Sequence, residues 1–269
     1  MIGKSLRWGL IVFLMVVTVV PLLWLLMSSI KTEQELFNSP FSLPRSWSLA
    51  NYFAVISDQP IFLYLRNSII ASLGATTVIL AASLLASYAL LHQFRLNKTV
   101  FLVLIFGILL PTNALITPIF LAFIKIGLYN SLLGLGLVYS GMFFPIGFLV
   151  VKGYVDSIPR EIIDAGRSDG AGFHQVFRHI VAPLSVPGAA TAGIFVMISA
   201  WNELFYALIL TQDSSSQTVQ VGMRYFLTTY NADYPLAFAF TVMSMIPTIL
   251  VFVILSDRVV QAMTLGSLK

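Results

Sequence analysis

IPREIIDAGRSDGAG, Ile158 to Gly172, holds five of the 26 charged residues of a 269-residue chain and lies between two long apolar runs. Ser157 and Pro159 suit a helix start. Ile162, Ile163 and Gly166 then share one side of that helix, and Glu161, Asp164 and Arg167 share another. Gly170 and Gly172 stop it. A second helix is expected in FHQVFRHI, with Phe173, Val176, Phe177 and Ile180 at i, i+3, i+4 and i+7, while His174, Gln175, Arg178 and His179 face away. Pro183 and Pro187 are expected to end it. Helices shorter than about 12 residues are marginal in water, so something must hold the first one. Either it packs on the chain's own apolar runs, or it docks into a separate protein with Glu161 and Asp164 offered to basic residues there.

Working outward, the chain is 58% hydrophobic and 10% charged, with mean hydropathy +0.91. Soluble domains carry about 25% charged residues, so this composition implies a membrane protein. A spanning helix needs roughly 20 apolar residues to cross about 30 Å of hydrocarbon. Six runs qualify, at about 9–30, 68–91, 100–122, 131–151, 188–210 and 238–256. The first is read as a retained helix, being too long for a signal peptide and lacking a small-x-small site. Outer loops at 31–67 and 211–237 and the inner loop 152–187 are too short to bury cores of their own, so the expectation is a single transmembrane domain, 1–269. In the first outer loop, SWSLANYFAVI reads as a short interfacial helix.

Lysine and arginine set the orientation. With the N-terminus inside, the inner segments hold Lys4, Arg7, Arg95, Lys98, Lys152, Arg160, Arg167, Arg178, Arg258 and Lys269, against Lys31, Arg45, Arg66, Lys125 and Arg224 outside. This places both termini in the cytoplasm and accounts for a pI of 9.4 without nucleic acid, for which there is no basic block or aromatic-interleaved run. No cysteine is present, which excludes disulfides, thiolate metal sites and cysteine nucleophiles.

Two spans carry polar interruptions. In GILLPTNALITPIF, Thr112, Asn113 and Thr117 lie between Pro111 and Pro118; a broken helix there offers Asn113 and Thr117 to a pathway, whereas intrahelical threonine bonds are the plainer alternative. In AWNELFY, Glu203 lies within the fifth run, where a carboxylate deep in hydrocarbon costs about 2.5 to 3.5 kcal/mol. It either reaches interfacial water or faces a cavity together with Asn202.

The run from Ile158 to Gly188 resembles the "EAA" loop of bacterial binding-protein-dependent ABC importers. Pro159, Glu161, Asp164, Ala165, Asp169, Gly170, Ala171, Phe177, Ile180, Pro183 and Pro187 match in place; Asp164 stands where that family usually has Glu, and Gly166 where it has its second Ala. AWNELFYALILT resembles the carbohydrate-uptake branch, in particular the shorter permease of the maltose-transporter type, as do SLANYF, Asn67–Ser68, TPIF, QTVQVGM and VVQAMTLGSLK. The resemblance implies an all-α polytopic membrane protein with six transmembrane helices, the type I ABC importer permease fold, and a cytoplasmic coupling helix between helices 4 and 5. It further implies a second, homologous permease, two cytoplasmic ATPase subunits and an extracytoplasmic sugar-binding protein as partners. The outer loop after the fifth span would reach toward the binding protein, and the C-terminal tail would run between the ATPases. Glu161, Asp164, Ala165, Gly166, Asp169, Gly170 and Ala171 would form the ATPase contact.

No G-x-x-x-x-G-K-[ST] phosphate loop occurs, so the chain is expected to be no enzyme and to bind no cofactor, with ATP and magnesium on the partner. The competing class is an ion-coupled secondary transporter of a small polar solute. That class should show several intramembrane acids or repeated half-helices, where only Glu203 is well placed.

Overall fold

The computed structural model describes the backbone of residues 2–92, 94–227 and 232–266 and side chains within 6–253. Lys269, the last of the expected tail, lies outside the described residues, as do the side chains of Lys4 and Arg258. The chain is all-helical: α1 Ile2–Ser28, α2 Glu33–Asn38, α3 Ala50–Asp58, α4 Ile61–Leu91, α5 Asn97–Phe106, α6 Ile116–Lys125, α7 Leu132–Asp156, α8 Arg160–Ser168, α9 Phe173–Val176, α10 Ala182–Leu184, α11 Val186–Trp201, α12 Phe205–Leu210, α13 Val219–Met223 and α14 Tyr234–Gly266. Among the described residues four helices are long and apolar enough to cross a membrane, at Leu6–Ser28, Ile61–Leu91, Leu132–Asp156 and Tyr234–Val253. Two bent pairs bring the number to six if each is one span: Asn97–Leu109 with Thr112–Lys125, at 87°, and Phe173–Leu184 with Val186–Trp201, at 66°.

The backbone divides into two compact units, Met1–Phe62 with Val221–Pro247, and Leu63–Gln220 with Thr248–Lys269. In the first, the described side chains of α1 are exposed on every side as far as Leu23, the pattern of a helix whose cover is lipid or another protein. Beyond α1 the chain hooks around buried Lys31, whose Nζ donates to the carbonyls of Ser39 (3.1 Å) and Pro40 (2.9 Å). Trp24 Nε1 donates to the same Pro40 oxygen at 2.9 Å, and Asn51 Nδ2 reaches the carbonyls of Ser29 and Lys31. α2 opens on a capping box, with Thr32 N donating to Glu35 Oε2 (3.1 Å) and Glu35 N to Thr32 Oγ1 (3.3 Å). Glu35 Oε1 also accepts from Arg45 N at 2.9 Å. These backbone donors, Thr32 first, hold the Glu35 carboxyl below its usual 4.5.

In the second unit, α4 buries a stripe of small residues, Ser68, Ala71, Ser72, Ala75, Thr76, Ser83 and Ser87. Small side chains let helices approach closely where no hydrophobic effect drives them together. The hydroxyls of Ser72 and Thr76 are satisfied within the helix, by the carbonyls of Ser68 (2.6 Å) and Ser72 (2.7 Å). α11 packs along α7.

FHQVFRHI continues through a π-helical segment, Phe177–Val181, into α10, and the helix ends at Leu184, between Pro183 and Pro187, as the sequence led one to expect. Pro187 stands in the first turn of α11, where its missing N–H is one that helix geometry leaves unpaired anyway. One expectation needs correction. The expected fifth span, 188–210, is not one helix, because α11 stops at Trp201 and α12 starts at Phe205.

Candidate functional site

α8 and α9 form a hairpin whose apolar side is held by the chain itself. Ile163 and Val176 join Tyr88 of α4, Val151 and Val155 of α7, Ile158, Val181 and Ala192 of α11 in one buried cluster, with Ala171, Phe177 and Ile180 packed against it. Tyr88 is the post: its ring lies 4.6 Å from Phe173 and 5.3 Å from Phe177, and its hydroxyl donates to the Phe173 carbonyl at 2.9 Å. Gly166 sits where an added Cβ would run into Ile180 Cδ1, so this glycine permits close approach between the hairpin's two arms.

The turn is a Schellman motif. Gly170 adopts φ +85°, its N–H donates to the Arg167 carbonyl and the Ala171 N–H donates to the Gly166 carbonyl, both at 3.0 Å, with Asp169 as the C-cap. α9 then starts with Gly172 N donating to Gln175 Oε1 at 2.8 Å.

The hairpin's other side is bare. Glu161, Ile162, Asp164, Ala165, Arg167, Ser168, Asp169 and Gly170 are exposed. Asp164 accepts from Arg167 Nη1 at 3.5 Å, an exposed pair worth little. The result is a short charged lever fixed to three long helices through one face.

The interrupted spans contain the second group of residues. Leu110 and Pro111 are extended, which separates α5 and its 3-10 turn from the turn Thr112–Leu115 and α6. A mainly apolar cavity of about 280 Å³ lies against this break, lined by Thr112, Leu137, Met142 and Tyr206 among others. Asn113 and Thr117 do not line it; both are exposed. Tyr206, which the sequence reading passed over, donates its hydroxyl to the Thr112 carbonyl at 2.6 Å and so ties one break to the next.

Glu203 is buried at that second break. Its carboxylate accepts from Tyr206 N (2.9 and 3.1 Å) and Ala207 N (3.1 Å), satisfying amides that the start of α12 leaves free. Asn202 beside it is exposed and donates Nδ2 to the Ile198 carbonyl at 2.9 Å. Glu203 therefore builds the local backbone, while Asn202 presents its side chain outward.

Beyond α12 the loop is clamped by Asn130, which sequence reading left unassigned, and by Asn67 and Ser68. Asn130, at φ 55°, accepts through Oδ1 from Gln212 N (2.8 Å), Asp213 N (3.1 Å) and Ser216 Oγ (2.5 Å). Asn67 Nδ2 donates to the carbonyls of Ser214 and Gln217, and Val219 N donates to Ser68 Oγ. The readable signal is an Asn at a turn, one of the few residues that tolerate a left-handed conformation. Among the described residues no cluster of His, Asp and Glu could hold a metal ion.

The family described as binding-protein-dependent transport system inner membrane component matches residues 78–265. The chain belongs to this family. This permease is 33% identical over 269 residues to the sulfoquinovosyl glycerol transport system permease protein SmoH of Agrobacterium fabrum, covering 99% of this chain and 94% of that one. It is 29% identical to the diacetylchitobiose uptake system permease protein NgcG of Streptomyces coelicolor, over 97% and 87%. Its fold matches a chain in the crystal structure of a bacterial ABC transporter involved in the import of the acidic polysaccharide alginate, with a TM-score of 0.83 and 22% identity over 95% of this chain and 96% of that one. The protein is thus a multi-pass inner-membrane permease subunit of a binding-protein-dependent ABC importer, a transport component rather than an enzyme.

Proposed function

We propose that this permease forms half of the translocation pathway for a sugar or oligosaccharide, beside a second, homologous permease. Two separate ATPase subunits, which bind the ATP and magnesium, drive the pair, and one of them grips the α8–α9 hairpin. The observation that carries this reading is the asymmetry of α8. Ile163 is only 6% exposed within the chain's own cluster, while Ile162 on the same short helix is 43% exposed beside Glu161, Asp164 and Ala165. An apolar strip flanked by carboxylates, on a rigid lever, fits a basic-rimmed cleft on a motor protein. Because Ile163 and Ile180 lock the hairpin to the ends of α4, α7 and α11, its displacement moves those helices instead of being absorbed in a loop.

The sugar class rests on the relatives, named for sulfoquinovosyl glycerol and diacetylchitobiose. Both termini and the hairpin lie on the cytoplasmic side by the lysine and arginine asymmetry, and the clamped loop Thr211–Val219 faces the binding protein. The exposed polar residues Asn113, Thr117 and Asn202 are the ones this subunit offers to a pathway shared with the second permease.

With no natural cysteine, a thiol introduced at Ile162 or Ala165 is unique in this subunit. In membranes containing the assembled importer, Ile162→Cys labelled with a maleimide–benzophenone should photo-cross-link to an ATPase subunit, and Ser57→Cys should not. A hairpin thiol that reacts freely with bulky maleimides in the intact complex and never cross-links would refute the docking. Competition by mono- and oligosaccharides in binding-protein-dependent uptake tests the substrate class separately.

A further inference from the structure

Where α4 ends, α5 begins and α7 nears its end, a hollow of about 490 Å³ is lined by Leu90, Asn97, Lys98, Phe101, Lys152 and Asp156. Two cations face one carboxylate. Lys152, with a side chain only 14% exposed, is paired with Asp156 one turn further along α7, which leaves exposed Lys98 with its charge at the rim. Asn97 donates Nδ2 to the Leu90 carbonyl at 2.9 Å, yet its Oδ1 is buried with no hydrogen-bond partner among the described residues. Buried acceptors are ordinarily satisfied by protein or ordered water, so this oxygen is free to accept from a hydroxyl that enters the hollow.

Depth narrows the chemistry. Lys152 follows Leu132, the first residue of α7, by about 20 residues, which at about 1.5 Å per residue is close to one hydrocarbon thickness. Lys98 is the second residue of α5, where the third apolar run begins. The hollow therefore sits at headgroup level, with Leu90 and Phe101 supplying apolar wall and the four polar residues supplying the rest.

We propose that this hollow binds the headgroup of an anionic glycerophospholipid of the phosphatidylglycerol type. The phosphate lies between the Lys98 and Lys152 ammonium groups, and the headgroup hydroxyls donate to Asn97 Oδ1 and the Asp156 carboxylate. Basic hollows between transmembrane helices on one membrane face are suited to such lipids. Asp156 is the last residue of α7, three residues before the N-cap of α8, so bound lipid steadies the helix end from which the hairpin departs.

The test uses the assembled importer, delipidated and placed in nanodiscs of phosphatidylcholine and phosphatidylethanolamine with increasing phosphatidylglycerol, reading retained lipid by native mass spectrometry. Wild type should retain phosphatidylglycerol in preference to both phosphatidylcholine and phosphatidylethanolamine. Lys98→Gln should lower that retention about fivefold, the value of one lysine near a lipid phosphate, and Lys98→Glu further. Lys98 is exposed, so neither change threatens folding. Lys125→Glu, at the end of α6, should leave retention unchanged. Millimolar glycerol 1-phosphate or inorganic phosphate should not displace the lipid, because the acyl chains contribute to holding it. Equal retention of the three lipids, no effect of Lys98→Glu, an equal effect of Lys125→Glu, or displacement by free phosphate would each overturn the proposal.

Discussion

Arg167 Nη2 lies 2.6 Å from His92 Nε2, which ties the hairpin by a side chain to the residue just beyond α4. The His92 ring stands edge-on to Tyr88 at 5.0 Å and lies 4.9 Å from Phe173, with Nδ1 3.2 Å from the Tyr88 carbonyl. Nδ1 therefore donates to that carbonyl, and Nε2 is left with the lone pair that Arg167 needs. The bond is a polar stay on the hairpin, anchored through His92 to Tyr88 of the apolar cluster beneath it.

Removing that stay should loosen coupling more than it loosens the fold. His92→Phe keeps the ring packing and deletes the acceptor; Arg167→Ala deletes the donor. Exposed polar pairs contribute about 1 kcal/mol or less, so thermal stability should change little. ATP hydrolysed per sugar imported into proteoliposomes should rise about twofold to fivefold in both variants, a change worth about 0.4 to 1 kcal/mol. A ratio equal to wild type in both would show that the contact transmits nothing.

Gly170 is the hairpin's angle. At φ +85° a proline, locked near −65°, is excluded, and its missing N–H would also leave the Arg167 carbonyl unpaired. Gly170→Pro should insert normally and lose uptake by at least about tenfold, with ATPase activity no longer stimulated by the binding protein. Gly170→Asn, which tolerates a left-handed backbone, should retain most of it. Normal uptake by the proline variant would count against a coupling role.

Glu203 and Asn202 should separate stability from transport. Glu203→Leu strips the amides of Tyr206 and Ala207 of their acceptor and should destabilise the detergent-solubilised complex by about 1 to 3 kcal/mol. Glu203→Gln, which keeps one acceptor oxygen, should fall between. Asn202→Ala should leave the melting temperature within about a degree and act, if at all, on transport kinetics. The reverse pattern, an unshifted melting curve for Glu203→Leu with altered sugar affinity, would return the carboxylate to the pathway.

Acid should loosen the outer hook. Because the folded Glu35 carboxyl titrates below its ordinary 4.5, its stabilising effect is present above that value and is lost as pH falls through the lowered one. Amide exchange across residues 32–46, compared at pH 6 and pH 3.5 after correction for intrinsic rates, should show less protection at the lower pH. Glu35→Gln should be less protected at pH 6 and show no such step.

The six apolar runs were legible because hydrocarbon imposes a local rule: about 20 consecutive residues must satisfy their own backbone. The hairpin was legible for a similar reason, since Pro159, Gly170 and Gly172 act through their own backbone. Pro183 and Pro187 were legible in the same way: the helix from Phe173 ends between them, and Pro187 opens the next one. Glu203 shows the limit of such rules: AWNELFY contains no glycine or proline, yet the chain breaks there, and a carboxylate that read as an intramembrane charge caps the helix that follows.

Composition and local pattern by themselves determined that this chain is a membrane protein with a charged helical hairpin between two apolar runs, and the likeness of that hairpin to the EAA loop implied a permease. Only the tertiary structure decided which face of that hairpin is taken and which is left open. Tyr88 meets Phe173 across 85 residues and His92 meets Arg167 across 75. Helical periodicity establishes which residues share a face, but burial of that face is a property of whatever packs against it, and here the packing comes from segments far away in the chain.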